Sequence, residues 1–270
     1  MGYHPGQHKS NQRGMGIEFA GHANIIDYPD PRRIDVRQTI RDPFEQVQVR
    51  IFNQRSASPI FIAADLSASM NFGGDKSKHK FASEIASSIT NSVMQKSDAI
   101  GFIGFNNAID SSWVAPLSYK PYRAKALISR LSSYHAKSSG QDGMDSLYEY
   151  IPKDKTLIFL ISDFHMPLTN IYTTFKRLRK HRIIPIILWN KNEYENLPKF
   201  GVITINDPES GQEKTIFLRG KMLERIKASF NKRKAELEQA FLEHDCPPFF
   251  VGEEFDTFAM SQYFNEYFHA

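Results

Sequence analysis

The most constraining feature of this chain is an uninterrupted apolar segment that ends in a carboxylate. Residues 60–64 are five apolar residues in succession, and Asp65 follows directly. Such a run predicts a strand buried on both faces, because it offers no polar side chain to solvent. A carboxylate at the end of a buried strand needs a partner, since burial of an unpaired charge is very costly. The sequence therefore predicts a central sheet with a polar site at the end of this strand.

Further oxygen-bearing side chains follow this strand and a later one. Ser67 and Ser69 come at alternate positions after Asp65, and a second apolar segment, residues 156–162, runs into Asp163. Carboxyl ends of parallel strands meet at one edge of a sheet, where α/β proteins bind ligands. Carboxylate and hydroxyl oxygens are the ligands that a hard cation prefers. These four residues are the predicted ligands of a divalent metal ion.

A simpler interpretation of the first motif needs no metal. Asp65 would begin a turn, and Ser67 and Ser69 would cap the helix that follows. Taken alone, a D-x-S-x-S match favours this simpler interpretation. The second strand ending in Asp163 favours the metal site, because two unrelated strand ends would then carry carboxylates to the same place.

Composition narrows the class of protein. A length of 270 residues with 41% apolar residues suits one large α/β domain, alone or with a smaller appendage. A net charge of +4 is a mild basic excess, so nucleic-acid binding through the basic residues 176–182 ranks last among the functions considered. The single cysteine, Cys246, excludes an internal disulfide and a cysteine-based zinc site. The sequence has no signal peptide and no apolar run of membrane-spanning length, which predicts a cytoplasmic protein.

The order of elements predicts the fold. Strands alternate with helices, which is typical of an α/β protein with a doubly wound, mostly parallel sheet covered by helices on both faces. Residues 1–55 are predicted to form an N-terminal extension with an edge strand near residues 47–51, preceded by an exposed tail that holds His4 and His8. Residues 56–270 are predicted to form the main domain, with a hairpin at 202–218. Pro185 predicts an edge position or a bulge for the strand at 183–189.

The motifs resemble those of von Willebrand factor type A (VWA) domains. These domains bind a metal ion at a metal-ion-dependent adhesion site that uses D-x-S-x-S, a Thr on another loop and a second Asp, here matched by Asp65, Ser67, Ser69 and Asp163. Residues 8–10, 13–19 and 30–35 resemble the segment before the VWA core in one bacterial family. That family is the domain of unknown function family fifty-eight, whose genes lie beside those of MoxR-type AAA+ ATPases.

The resemblance implies a function as well as a fold. It implies a VWA/Rossmann-like domain that binds Mg²⁺, with Mn²⁺ or Ca²⁺ as alternatives, and that leaves one position open for a carboxylate of a partner protein. The implied partners are a MoxR-type AAA+ ATPase and a client protein. The chain would then be a chaperone-like adaptor in metalloenzyme maturation or complex assembly, with no catalytic residues, and methanol dehydrogenase is one candidate client.

One position departs from the family pattern. Relatives have Gly-Gly-Thr-Asp-Leu before the second strand, whereas this chain has Gln141 in the position expected for Thr, followed by Asp142. An amide oxygen can bind a hard cation, but this side chain is longer than that of Thr. The departure leaves three alternatives open: a weakened site, a site remodelled around Asp142, or an empty site.

An enzyme is the competing class of function. A metal ion with an open position could activate water for hydrolysis of a phosphoester. His165 is the candidate general base, since it follows Asp163 by two residues, although it could equally cap the loop. The sequence contains neither a G-x-S-x-G nucleophile motif nor a Rossmann glycine fingerprint. We therefore expect a binding protein rather than an enzyme.

Overall fold

The computed structural model describes residues 5–14, 18–56, 59–73, 77–136, 142–194, 201–206, 213–218, 220–252 and 255–268. The chain divides into two compact units. One consists of Met1–Ser58 with Met94–Asp98, and the other of Pro59–Val93 with Ala99–Ala270. The predicted division between residues 55 and 56 concerns independently folding domains and stays a prediction.

The smaller unit is built on a three-stranded antiparallel sheet. Its strands are β1 (Pro5–Gly14), β2 (Glu18–Asn24) and β3 (Gln48–Ser56), in the order β1-β3-β2, and its helix is α1 (Val36–Arg41). Val49 and Ile51 of β3 are buried, in agreement with the alternating pattern. The predicted edge position is wrong, because β3 pairs with a strand on each side. The predicted N-terminal tail instead forms the strand β1 from Pro5 onward, and His4 lies outside the described residues.

The larger unit contains the main sheet and most of the helices. Its strands are β4 (Ile60–Asp65), β5 (Ile100–Phe105), β6 (Val114–Ser118), β7 (Leu157–Ser162), β8 (Arg182–Leu188), β9 (Gly201–Asn206), β10 (Glu213–Leu218) and β11 (Phe249–Val251). Its helices are α2 (Lys78–Gln95, of which Met94 and Gln95 belong to the smaller unit), α3 (Tyr122–Leu131), α4 (Leu147–Tyr150), α5 (Leu168–Arg177), α6 (Gly220–Leu242) and α7 (Thr257–Phe268). Within the described ranges, every helix is too short or too polar to span a bilayer.

The main sheet has six strands in the order β11-β8-β7-β4-β5-β6. All neighbouring pairs are parallel except β5 and β6, which are antiparallel. When only the strands of this sheet are numbered along the chain, this is the order 6-5-4-1-2-3 of a doubly wound fold, in which the direction of winding reverses between the first and fourth strands. The reversal lies between β4 and β7, which are the two strands predicted to carry the site.

Helices cover both faces of this sheet. Side chains of β4 alternate between two buried clusters: Ile60 and Ile62 face one, and Phe61 and Ala63 face the other. The first cluster contains apolar residues of α2, α3 and α7, and the second contains residues of α4, α5 and α6. All six residues of β4 are buried. The predicted fold class is confirmed: the unit is an α/β domain of VWA/Rossmann-like type.

The prediction for Pro185 is wrong in its position. β8 lies between β7 and β11, so it is not an edge strand. Proline is tolerated there because β11 is short and pairs only with Ile186–Leu188, one residue beyond the proline. The missing N–H of Pro185 therefore falls outside the region that pairs with β11.

The predicted hairpin is present, and the long helix α6 follows it. β9 and β10 form a separate two-stranded antiparallel sheet, and the predicted turn at 207–212 lies outside the described residues. In α6 the buried residues are Leu237, Ala240 and Phe241, all in its last two turns. The second half of α6 therefore anchors this helix on the main sheet.

Candidate metal centre

The two carboxylate-bearing strand ends meet as predicted. β4 and β7 are neighbours in register from Ile60 with Leu157 to Ala64 with Ile161. The next residue of each strand is Asp65 and Ser162, and the Ser162 hydroxyl donates a hydrogen bond of 2.6 Å to Oδ2 of Asp65. Because this contact lies where the sheet reverses its winding, it occupies the usual ligand-binding position of a doubly wound fold.

The loop after β4 brings the two serines to the second aspartate. Oδ1 of Asp65 accepts a hydrogen bond of 2.8 Å from the backbone N–H of Ser67. The hydroxyl oxygens of Ser67 and Ser69 lie 3.0 Å apart, and the Ser69 side chain hydrogen-bonds the carboxylate of Asp163. The structure thus brings all four predicted ligands into one hydrogen-bonded cluster. Their role as metal ligands stays a prediction.

The simpler interpretation of the motif fits only in part. Asp65 does form a turn, since its carboxylate accepts from the backbone two residues later. Ser67 precedes a short 3-10 helix, Ala68–Asn71, but its side chain makes no capping hydrogen bond. The first turn of α2 is instead capped by Ser77, whose hydroxyl accepts from the backbone N–H of Lys80 at 3.4 Å. The hydroxyls of Ser67 and Ser69 are therefore directed into the cluster.

Burial gives the two aspartates opposite electrostatic properties. Both side chains are fully buried. Burial, together with the charge of Asp163, raises the pKa of Asp65 to about 7, even though Ser162 and Ser67 donate hydrogen bonds to its carboxylate. Burial also acts to raise the pKa of Asp163, but the ammonium of Lys78, the charge of His165 and the hydrogen bond from Ser69 together hold that pKa well below its usual range. At neutral pH the cluster therefore contains one fully ionised carboxylate and one that is partly protonated.

Lys78 is a charged residue of the candidate site that the sequence did not predict. Its ammonium nitrogen lies 3.0 Å from Oδ2 of Asp163 and 3.0 Å from Oε1 of Glu193, and its side chain is only 4% exposed. A lysine at the start of a helix is usually at the surface. The available signal was its spacing, because Lys78 precedes Phe81, Ala82 and Ile85 by three, four and seven residues and so lies on the buried face of α2.

Glu193 lies on a third loop, and contacts within that loop hold its side chain in place. The turn Lys191–Glu193 follows β8, and Asn190 and Glu193 form a capping box in which each side chain accepts from the backbone of the other. Oε2 of Glu193 also lies 3.6 Å from Nε2 of His165. The imidazole of His165 stacks on the indole of Trp189 at 5.8 Å, and this indole donates to the carbonyl oxygen of Asp163. The candidate general base therefore faces Glu193, and its role in catalysis stays a prediction.

The loop that carries Asp163 is held in an unusual conformation by α6. Phe164 has a φ of +51° although it is not glycine, and its side chain is fully buried. The guanidinium of Arg233 donates to the carbonyl oxygens of Phe164 and Met166, at 2.9 Å to the first. Because the Arg233 side chain is only 21% exposed, these charged hydrogen bonds fix the turn directly after Asp163.

Substitution of Arg233 by methionine should lower the free energy of unfolding by about 2–3 kcal/mol, since charged hydrogen bonds to two carbonyl oxygens are lost. Lysine at this position should recover only part of the loss, because its single ammonium cannot reproduce the planar fork. Chemical denaturation checks both variants. The same substitution at Lys232, whose side chain is 80% exposed, serves as the control and should have little effect. Equal stability of the Arg233→Met and Lys232→Met variants would show that the hydrogen bonds from Arg233 to the turn after Asp163 do not stabilise the fold.

The loop that would supply the Thr of the family pattern contributes less to the described cluster. Gln141, which occupies the position expected for Thr, lies outside the described residues. Asp142 begins a 3-10 helix, Asp142–Ser146, and its exposed carboxylate accepts from the side chain of Asn170 at 3.4 Å. This contact directs Asp142 towards α5, so the described geometry does not favour a site remodelled around Asp142.

The donor set fits a hard divalent cation. Asp65 and Asp163 supply carboxylate oxygens, and Ser67 and Ser69 supply hydroxyl oxygens, which together match the preferences of Mg²⁺. The ammonium of Lys78 already lies against this set and shows that the set accommodates positive charge. Across the described ranges, no cluster of three or more His, Cys, Asp or Glu residues could hold a metal ion, so a site of the zinc type is not found there.

The chain is similar to a protein family and to several known proteins. The family model "Protein of unknown function DUF58" matches residues 29–240. A Paracoccus denitrificans protein described as "Uncharacterized protein in moxR 3'region" is 24% identical over 98 residues, which are 36% of this chain and 93% of that protein. The solved structure of the conserved hypothetical protein BatB from Bacteroides thetaiotaomicron is 13% identical, with a TM-score of 0.46, and covers 79% of this chain and all of that one.

A von Willebrand factor type A structure from Catenulispora acidiphila is also 13% identical, with a TM-score of 0.34 and coverage of 51% of this chain and 34% of that one. The family match is the decisive comparison, because it extends over much more than half of the sequence and includes β4, β7 and the whole carboxylate cluster. The chain therefore belongs to the DUF58 family.

Proposed function

We propose that this chain is a cytoplasmic protein-binding adaptor that recognises its partner through a divalent cation held at the ends of β4 and β7. The observation that carries the proposal is the hydrogen-bonded cluster of Asp65, Ser67, Ser69 and Asp163, in which all but the half-buried Ser69 are buried. Its position at the reversal of the sheet is where doubly wound folds bind their ligands. Mg²⁺ is the proposed ion, with Mn²⁺ and Ca²⁺ as alternatives.

The residues of the cluster would have different roles in binding the ion. Ser67 and Ser69 would bind the ion through their hydroxyl oxygens, while Asp65 and Asp163 would balance its charge. When bound, the ion supplies an open coordination position suited to a carboxylate of a partner protein. Ser162 orients Asp65, and Arg233 orients the turn after Asp163, so both act as positioning residues.

The proposed partner is a MoxR-type AAA+ ATPase together with a client protein. Support comes from the Paracoccus denitrificans relative, whose description places it in the region 3' of moxR. In this proposal the chain contributes to metalloenzyme maturation or complex assembly, with methanol dehydrogenase as one candidate client. The contact between His165 and Glu193 fits either class of function, because a carboxylate beside an imidazole can orient a catalytic base as well as form a structural ion pair.

The test is recovery of the MoxR-type ATPase of the same host on the immobilised chain in Mg²⁺ buffer. We expect the Asp65→Ala variant to recover at least about tenfold less ATPase than the wild type, as expected when a metal site is damaged. The control is Asp110→Ala, which removes an exposed carboxylate from the loop after β5 at the same edge of the sheet. The experiment uses the Asp65→Ala variant and not a chelator, because a chelator would also remove the Mg²⁺ of the ATPase.

Two results would contradict the proposal. Equal recovery on the wild type and on Asp65→Ala would rule out recognition through this cluster. Hydrolysis of p-nitrophenyl phosphate by the wild type, with loss of that activity in Asp65→Ala but not in Asp110→Ala, would instead favour the metal-dependent hydrolase.

A further inference from the structure

Lys78 forms an ion bridge between the candidate metal centre and a neighbouring turn. Its ammonium nitrogen lies 3.0 Å from Oδ2 of Asp163, and 3.0 and 3.2 Å from the two carboxylate oxygens of Glu193. The Lys78 side chain is 4% exposed and the Glu193 side chain 10% exposed, so the bridge is shielded from water. Interactions between charges are much stronger in such a place than at the surface.

The same geometry sets the ammonium against a divalent cation. Asp163 is a proposed ligand of the ion and is already the partner of Lys78. Two positive charges that share one carboxylate repel each other strongly where the effective dielectric constant is low. Binding of the ion therefore favours a lysine that has withdrawn from Asp163.

Glu193 offers the withdrawn ammonium a second partner. The Glu193 carboxylate is held in place by the backbone N–H of Asn190, which donates to Oε1 at 3.2 Å. Lys78 can therefore leave Asp163 and stay paired in a buried environment, which avoids the large cost of an isolated buried charge. The bridge thus has two arms of nearly equal length, one of which competes with the ion and one of which does not.

We propose that Lys78 is a built-in counter-ion that competes with the divalent cation at Asp163, and that Glu193 sets the cation affinity by receiving Lys78 when the cation binds. This inference rests on the proposed function, since it concerns the same cluster. It assigns the affinity of the site to residues on α2 and on the turn after β8, outside the D-x-S-x-S motif. In the cation-free protein Lys78 holds the cluster together, and in the cation-bound protein its charge lies with Glu193.

The experiment measures Mn²⁺ binding to the full chain by electron paramagnetic resonance of free Mn²⁺, with the Mn²⁺-induced shift in melting temperature as a second readout. We expect Lys78→Met to bind Mn²⁺ at least about tenfold more tightly than the wild type, because the competing charge is gone. We expect Glu193→Gln to bind about three- to tenfold more weakly, because Lys78 is left with Asp163 as its charged partner among these residues. Lys80→Met is the matched control, since it removes the same charge from an exposed position on the same helical turn.

The two variants have opposite expected signs, which keeps the inference testable if one of them folds poorly. Lys78→Met/Glu193→Gln keeps the net charge of the wild type and should also bind Mn²⁺ more tightly than the wild type. Equal affinities of the wild type and Lys78→Met, or binding by Glu193→Gln as tight as that of the wild type, would overturn the inference. If the ATPase is still recovered in an Asp65-dependent manner, the proposed function survives that outcome. If no variant binds Mn²⁺, both are overturned.

Discussion

Replacement of Lys78 by methionine should lower the free energy of unfolding of the metal-free protein by about 3–5 kcal/mol at neutral pH, the usual cost of breaking a buried ion pair from one side. Methionine keeps most of the apolar stem but leaves Asp163 and Glu193 without the ammonium that lies 3.0 Å from each of them. Both carboxylates are shielded from water, so solvent cannot replace the lost partner. Urea denaturation in the presence of a chelator measures the effect.

The companion variants separate the lost pairing from a general effect of charge. Glu193→Gln should cost less than Lys78→Met, because Lys78 keeps Asp163 as its partner. The double variant should lie between the two single variants, since it leaves one carboxylate uncompensated instead of two. Lys80→Met should change the stability by less than about 0.5 kcal/mol, as is usual at an exposed site. A loss for Lys78→Met no larger than that of Lys80→Met would mean that the bridge does not stabilise the fold.

Much of the candidate site was predictable because it depends on the backbone. A run of buried strand residues fixes where β4 ends, and the rule for doubly wound sheets fixes which other strand lies beside it. The positions of Asp65 and Asp163 follow from these two facts alone. Ser162 then falls opposite Asp65 by register, which explains why a hydroxyl adjacent to the second aspartate links the two strand ends.

The features that were missed depend on side chains that reach between distant loops. Lys78 follows Asp65 by thirteen residues, and Glu193 follows Asp163 by thirty, so no local pattern connects them. The position of Pro185 was predicted wrongly for a related reason. Its strand is covered by β11, a three-residue strand far along the chain, whose pairing has no signature in the residues around Pro185. Local sequence patterns determine where the strands begin and end, whereas contacts between distant loops determine which charged side chains pair in the site.

Substitution of Asp65 by asparagine should stabilise the metal-free protein relative to the wild type increasingly as the pH rises. Burial and the charge of Asp163 raise the pKa of Asp65 from 3.8 to about 7. The folded state therefore holds a proton that the unfolded state has lost, and the stability that this proton gives is complete below about pH 4 and disappears as the pH rises through 7. Asparagine does not titrate, so its advantage over aspartate should grow by about 3 kcal/mol between pH 5 and pH 8.

The effect has to be measured as the difference in stability between the wild type and Asp65→Asn, because another buried group changes the stability with pH in the opposite direction. Burial lowers the pKa of His79 to about 4, so this histidine makes the folded state more stable as the pH rises from about 4 to 6.5. That contribution is present in both proteins and cancels in the difference, which chemical denaturation at each pH measures. Asp110→Asn is the control, because hydrogen bonds from Ser112 lower the pKa of Asp110, so this carboxyl stays ionised in both states from pH 5 to pH 8.

Addition of Mg²⁺ should reduce the stabilising effect of the Asp65→Asn substitution. An ion held at the cluster would supply the positive charge that the Asp65 carboxylate lacks, so the wild type would gain stability by mass action while the variant would gain less. The advantage of asparagine at pH 8 should therefore shrink as Mg²⁺ is added. Parallel pH profiles of the wild type and Asp65→Asn without Mg²⁺ would contradict the raised pKa of Asp65. An advantage that is insensitive to millimolar Mg²⁺ would instead argue that Lys78 is the permanent cation of this site, because the paired lysine would then keep divalent ions out.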